Sequence, residues 1–250
     1  MTIAKGLDVP VTTGDAYTVS IAVQALVAAA KEMDIPLHDA SAAVVGALGA
    51  IGRVCAESLA QVVGRLILIA REEVQLEELR DHLSPNSHAE LVVSTNVQSL
   101  KEAQLILTVT SAVHDVIDPG VLQAGSIICD VARPRDVSAM VARARNDILV
   151  IDGGMVDVPG PVDFHFNFGF PQGKAYACMA ETMVLALEGR FEDYTLGKNI
   201  TMERVNEITT LAVKHGFRLS GFRSFERAVT PEQIENVRRN VRRAGITGHT

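Results

Sequence analysis

Apolar and polar positions along this chain follow two periods, and each switch between them marks an element. From residue 15, Val19, Val23, Leu26, Val27, Ala30 and Met33 recur at helical spacing and stop before Pro36, which predicts a helix over residues 15–33. Thr12-Thr13-Gly14-Asp15 supplies N-cap candidates at its start. A short apolar run at 42–45, a glycine-spaced turn, a helical segment and a second apolar run at 66–69 follow. Next come a charged helix at 72–83, broken by Ser84-Pro85-Asn86, a strand at 90–93, a polar helical piece and a strand at 104–110. Asp118-Pro119-Gly120 starts a short turn or helix, and then a strand at 126–130, a helix at 136–145 and a strand at 148–151 complete the series. Short apolar runs alternating with helices predict one parallel sheet with helices on its faces.

The pattern changes after Asp152. Gly153-Gly154 and Pro159-Gly160-Pro161 mark a loop in which Phe164, Phe166, Phe168 and Phe170 alternate. Period two predicts a strand face packed on the core, with the lining of an apolar substrate channel as the alternative. Residues 174–188, 201–215 and 231–243 then read as helices. The expected fold is α/β, a Rossmann-type doubly wound parallel sheet with an N-terminal helix and a C-terminal helical extension. The expected division is a helical segment at 1–36, a nucleotide-binding domain at 37–155 and a mainly helical segment at 156–250.

The turn between the first two strands carries Gly46, Gly49 and Gly52, spaced G-x-x-G-x-x-G. Such glycines can simply let a helix pack on a sheet. Between a strand and a helix they also let a pyrophosphate reach the backbone, where the helix N-terminus offers unpaired N–H groups and a positive dipole end. The strand, turn, helix and strand order favours the second reading, with Gly46, Leu48, Gly49, Ala50, Ile51 and Gly52 at the cofactor. The second strand ends Ile69-Ala70-Arg71 without the acid that would accept from a ribose 2′-hydroxyl. Arg71 suits a 2′-phosphate instead, so NADPH is expected over NADH; a solvated arginine pairing with Glu72 or Glu73 is the plainer alternative. Thr110, Ser111 and Ala112, small residues ending the fourth strand, are further cofactor-side candidates, with ordinary strand-end residues as the equal alternative.

A net charge of −7 and the lack of any basic–aromatic stripe argue against a dedicated nucleic-acid binder. No apolar run has the length of a membrane span, and the first residues lack a signal peptide's pattern, so a cytoplasmic protein is expected. Three cysteines at unrelated spacings suggest neither disulfides nor a metal site. Cys55 and Cys129 sit in apolar surroundings and read as buried small hydrophobes. Cys178 lies near the start of a predicted helix, with Lys174 four residues earlier on the same face. A helix N-terminus and an ammonium both favour the nucleophilic thiolate, while packing beside Met179 and Met183 is the structural alternative.

Four stretches resemble the cyanobacterial long-chain acyl-acyl-carrier-protein reductases. They are Thr13-Gly14 with its helix through Ala28-Ala29-Ala30-Lys31, the turn from Val44 to Gly52, and Val116-Ile117-Asp118-Pro119 with Asp130 and Pro134. The fourth runs from Ala177-Cys178 through Ala180-Glu181, Met183, Leu185, Glu188-Gly189, Gly197 and Asn199-Ile200-Thr201 to His215-Gly216-Phe217. The resemblance implies an NADPH-dependent reductase that converts an acyl thioester, on acyl carrier protein or coenzyme A, to an aldehyde. Cys178 would be the nucleophile that forms an enzyme-bound thioester; His215, from the matching His-Gly-Phe, and Lys174, from its spacing to Cys178, are further catalytic candidates. For His215 a proton-transfer role and a helix C-cap stay open.

Family members carry a sizeable region ahead of the segment equivalent to Thr13. Either a partner chain or a second copy supplies it here, or the substrate is smaller or different. Arg238, Arg239, Arg242 and Arg243 recur at helical spacing, as a solvated terminal helix or as a docking stripe for an acidic carrier protein. Two other functions fit the same motifs: an NADP-dependent dehydrogenase of another small substrate, similar in plan to shikimate or methylene-tetrahydropterin dehydrogenases, and a non-catalytic NADPH-binding subunit.

Overall fold

The computed structural model describes residues 4–111, 117–167, 169–197, 199–243 and 245. Helix α1 (Asp15–Glu32) precedes the sheet. It is buried on nearly every side, and Ala16, Ala22, Ala25, Ala29 and Ala30 allow neighbouring elements to approach its backbone closely. The chain then builds β1 (Ser41–Val45), α2 (Ala50–Leu59), β2 (Arg65–Ile69), α3 (Glu73–Leu83) and β3 (Glu90–Ser94). Strands β4 (Leu105–Thr108) and β5 (Ile127–Asp130), the short helix α4 (Ala139–Ala144) and β6 (Leu149–Asp152) complete the sheet.

All six strands are parallel, in the order β3-β2-β1-β4-β5-β6. This is the expected Rossmann-type arrangement, with the strand order reversing beside β1. Successive side chains serve opposite cores. Leu66, Leu68, Leu105 and Leu107 join one hydrophobic cluster, while Ile67, Ile69 and Ile106 join the other. Burial of each such side chain contributes about 1.5–3 kcal/mol, which explains why these strands are apolar runs rather than alternating ones.

Beyond the sheet, Gly153 and Gly154 turn the chain into a second, three-stranded antiparallel sheet. Its strands β7 (Met155–Asp157) and β8 (Lys174–Tyr176) pair Asp157 with Lys174, and β9 (Arg218–Leu219) pairs on the other side of β7. Helices α5 (Ala177–Leu187) and α6 (Met202–Lys214) pack on α1. A small hairpin of β10 (Arg223–Ser224) and β11 (Arg227–Ala228) leads into α7 (Pro231–Arg243).

Three expectations are corrected. Residues 174–176 form a strand rather than the start of a helix, because pairing with β7 claims their backbone. The phenylalanine stretch is no strand on the core: Phe166 is 70% exposed, and positive φ at His165 and Gly169 turns the chain between the aromatics. Phe168 lies outside the described residues. The helix expected at 136–145 is shortened to α4, because Asp136 and Val137 turn inward.

Candidate functional site

Gly46 ends β1 with φ at +85°, and a Cβ there would lie 2.7 Å from the carbonyl oxygen of Val109. Its N–H and that of Ala47 donate to the Ile69 carbonyl at 2.9 and 3.1 Å, tying the turn to β2. A Cβ at Gly52 would lie 2.1 Å from the Gly46 carbonyl oxygen, so the first turn of α2 rests directly on the loop. Gly49 is the N-cap of α2, and no side chain caps that end. The N–H groups of Ala50 and Ile51 therefore present an uncapped helix start at the carboxyl edge of the sheet. Leu48 is half-buried against the core. Gly46 and Gly52 let the turn pack closely on the chain just past β4 and on α2, and the uncapped helix start that this packing places at the carboxyl edge fits a dinucleotide pyrophosphate.

Arg71 is exposed just beyond β2 and, among the described residues, pairs with neither Glu72 nor Glu73. Thr110 is engaged: its N–H donates to Asp136 Oδ2 at 2.8 Å and its hydroxyl to Asp136 Oδ1. Ser111 is exposed, and Ala112 and Val116 lie outside the described residues.

Asp136, fully buried, also accepts from Thr108. Asp130, at the end of β5, accepts from the N–H groups of Ala132 and Val137, both at 3.0 Å. Burial pushes its carboxyl up to about 6, the nearby Asp136 adds to the rise, and the Val137 N–H opposes it. Nothing in the sequence separates Asp136 from a solvated aspartate after Arg133-Pro134-Arg135.

Cys178 is the second residue of α5 and is exposed, whereas Cys55 and Cys129 are buried and their thiols are pushed well up by burial. Three observations bring it to the same sheet edge as the glycine turn. Helix α1 connects to the start of β1 through its C-terminal end, so its N-terminus lies at the carboxyl edge. Gly14, the left-handed N-cap of α1, packs on Cys178 so tightly that a Cβ would lie 2.3 Å from Cys178 Cα and 2.5 Å from Cys178 Cβ. Ala177 N–H donates at 2.6 Å to Gly154, just past β6.

A buried carboxylate fastens this junction. Glu181, fully buried one turn after Cys178, accepts from Thr195 Oγ1 at 2.7 Å, from Tyr17 N at 2.8 Å and from Thr12 Oγ1. It thereby caps α1 from a neighbouring helix. Sequence reasoning gave it no role beyond the resemblance; a lone acid among the apolar residues of α5 is the signal that marks it.

The expected lysine assistance is absent. Lys174 stands on β8, and its Nζ is held by Asp157 at 2.5 Å and by Ser220, so it shares no helix face with Cys178. The Cys178 thiol is not lowered. Partial enclosure pushes it up, Asp15 and Glu181 add to the rise, and the N–H groups of Met179 and Cys178 pull it back.

His215 caps the C-terminal end of α6 and meets Glu188 at 2.6 Å, at the far end of α5. Glu188 follows Cys178 by ten positions along the helix, about 15 Å at 1.5 Å per residue. The C-cap alternative is the one this geometry matches. His215 also borders an apolar groove of about 600 Å³ walled by Phe164, Met183, Leu187 and Phe217. Phe166 and Phe170 line a neighbouring cleft of about 390 Å³. The α7 arginines do not form one free stripe, because Arg238 pairs with Asp34 and Glu235. Among the described residues no cluster of side chains is set to hold a metal ion, and no helix is long and apolar enough to cross a membrane.

A strand order of this kind with a glycine turn under an uncapped helix defines a Rossmann-type domain of the nicotinamide-dinucleotide class. Residues 27–152 match the shikimate / quinate 5-dehydrogenase family, and the chain belongs to it. Two curated relatives extend past that domain. The aminotransferase PigE of Serratia sp. is 34% identical over 241 residues, covering 94% of this chain and 28% of that protein. The long-chain acyl-acyl-carrier-protein reductase of Synechococcus elongatus is 32% identical over 215 residues, covering 83% of this chain and 61% of that protein. The chain thus spans between about a quarter and three fifths of the length of these relatives. Among solved structures, glutamyl-tRNA reductase from Methanopyrus kandleri aligns at 18% identity with a TM-score of 0.42, covering 89% of this chain and 43% of that one. The chain is related to NAD(P)-dependent reductases and dehydrogenases.

Proposed function

We propose that this chain is an NADPH-dependent reductase that takes an acyl group from a thioester onto Cys178 and releases it as an aldehyde. The observation that carries this reading is the exposed Cys178 thiol, fixed against Gly14 at the same sheet edge as the Gly46–Gly52 turn. The relative from Synechococcus elongatus supports it, since its match extends well past the Rossmann domain. Gly46, Gly49 and Gly52 would hold the pyrophosphate, the N–H groups of Ala50 and Ile51 would meet its charge, and Arg71 would grip the 2′-phosphate. When bound, NADPH supplies the hydride. Cys178 attacks the thioester carbonyl, retains the acyl group as a new thioester and is a good leaving group when the aldehyde departs. The acyl donor is a carrier-protein or coenzyme A thioester, and α7 is the proposed carrier contact.

A dehydrogenase of another small substrate is the second reading. It is favoured by the family match, which ends at residue 152, before Cys178. The test is incubation with acyl-coenzyme A followed by intact-mass measurement, with and without NADPH. A mass gain of one acyl group, lost in Cys178→Ala and discharged as aldehyde on adding NADPH, is the expected result. NADPH binding without an adduct from acyl-coenzyme A or acyl carrier protein overturns the first reading in favour of the second.

A further inference from the structure

The thiol proposed above as the nucleophile has acidic neighbours and, among the described residues, no cation set to stabilise its thiolate. Lys174 is held by Asp157 and Ser220, and His215 pairs with Glu188 at the other end of α5. Among the described residues, the charged groups that bear on Cys178 are Asp15, from α1, and Glu181, from α5. At rest such surroundings keep the sulfur protonated. A thiol that must attack a carbonyl from this state needs a proton acceptor beside it.

Glu181 cannot serve. It is fully buried, and its two oxygens already accept from Thr12, Thr195 and Tyr17. Asp15 differs on both counts. It directly follows Gly14, the residue whose backbone touches that of Cys178, and it opens α1. It is half-buried, and its Oδ2 accepts from Thr13 at 2.8 Å, while among the described residues Oδ1 has no hydrogen-bond donor. Burial also holds its carboxyl above the usual aspartate range, with the Thr13 hydroxyl opposing, which makes it a better base than a solvated aspartate.

We propose that Asp15 is a catalytic residue of the acyl-transfer step, taking the proton from the Cys178 thiol and returning it to the departing thiol. As Sγ bonds to the thioester carbonyl carbon, the S–H proton passes to the Asp15 carboxylate. The carbon–sulfur bond of the donor then breaks, and the leaving thiolate takes the proton from the Asp15 carboxyl. The products are acyl-Cys178 and a free thiol, with no change of oxidation state. This inference rests on the acyl-thioester reading of the site.

The test is Asp15→Asn, with Asp15→Glu as a second variant and circular dichroism as the folding control. Two rates are read, iodoacetamide alkylation of Cys178 against pH and single-turnover acylation by acyl-coenzyme A. They should move in opposite directions. Removing the charge lowers the midpoint of alkylation by up to about one pH unit, so labelling near neutrality is faster. Acylation should slow about 100-fold or more, the usual contribution of a positioned base, with partial recovery in Asp15→Glu. An alkylation midpoint that stays put, or two rates that fall together in a folded variant, overturns the proposal. Acylation equal in wild type and Asp15→Asn overturns the proton relay alone. A wild-type chain that accepts no acyl group overturns the acyl reading, and the relay with it.

Discussion

Gly14 and Cys178 meet backbone to backbone, with room for no atom between them: a Cβ on Gly14 would stand 2.3 Å from Cys178 Cα and 2.4 Å from its carbonyl oxygen. The contact joins the N-termini of α1 and α5 and fixes where the thiol sits.

Gly14→Ala should therefore carry two penalties, a left-handed backbone at φ +77° and a clash with main chain that cannot swing aside. Together these should cost about 2–4 kcal/mol. Gly160→Ala is the control, because Gly160 has φ +80° and nothing within 4 Å of an added Cβ; it should lose only about 1–2 kcal/mol. Urea unfolding of both variants reads the difference, and labelling of Cys178 should change in Gly14→Ala alone. Equal losses in the two variants would show that the contact does not hold the thiol.

The sheet was legible because its strands are buried on both faces, so Leu66-Ile67-Leu68-Ile69 appears as an uninterrupted apolar run. Helix α7 was equally plain, from its opening proline to Arg243. What escaped depends on partners distant in sequence. Lys174-Ala175-Tyr176 has no local reason to be extended; pairing with Met155–Asp157 makes it so. Removing Lys174 from the helix also removed the supposed cation beside Cys178. The cysteine itself was legible, but the acidity around it was not, because Asp15 lies far from it in sequence and is brought near it by the contact of Gly14 with Cys178.

Arg71→Ala should weaken NADPH binding by about 1.5–3 kcal/mol, the scale of charge-assisted hydrogen bonds. NADH, without the 2′-phosphate, should bind almost unchanged. Titration calorimetry with both cofactors checks this. Equal losses, or a wild-type preference for NADH, would remove Arg71 from the cofactor site.

His215 stands at the junction of α5 with α6, where Glu188 receives both it and Lys214. Those two partners hold the Glu188 carboxyl below its usual range. His215→Ala should lower the thermal midpoint modestly while acylation of Cys178 proceeds at the wild-type rate. Abolished acylation in a variant of unchanged stability would return His215 to the chemistry.

Asp130 gives stability a pH dependence of unusual sign. Its carboxyl is raised from 3.8 to about 6 in the folded chain, chiefly by burial. Between those values the folded state binds more protons than the unfolded one, so this group's contribution is fully present below pH 4 and declines as pH rises toward 6 and just beyond. A shift of two units corresponds to about 3 kcal/mol. Asp147, held below its usual range by Arg145, acts in the opposite direction, so the wild-type curve alone is a poor readout. Urea unfolding of wild type and Asp130→Asn should be compared from pH 4 to 8. The wild-type advantage should shrink by up to about 3 kcal/mol between pH 4 and 7 and then level off. A difference between the two proteins that does not vary with pH would mean that Asp130 carries no raised carboxyl, and that the loop from Val131 to Val137 binds it as an ordinary ion.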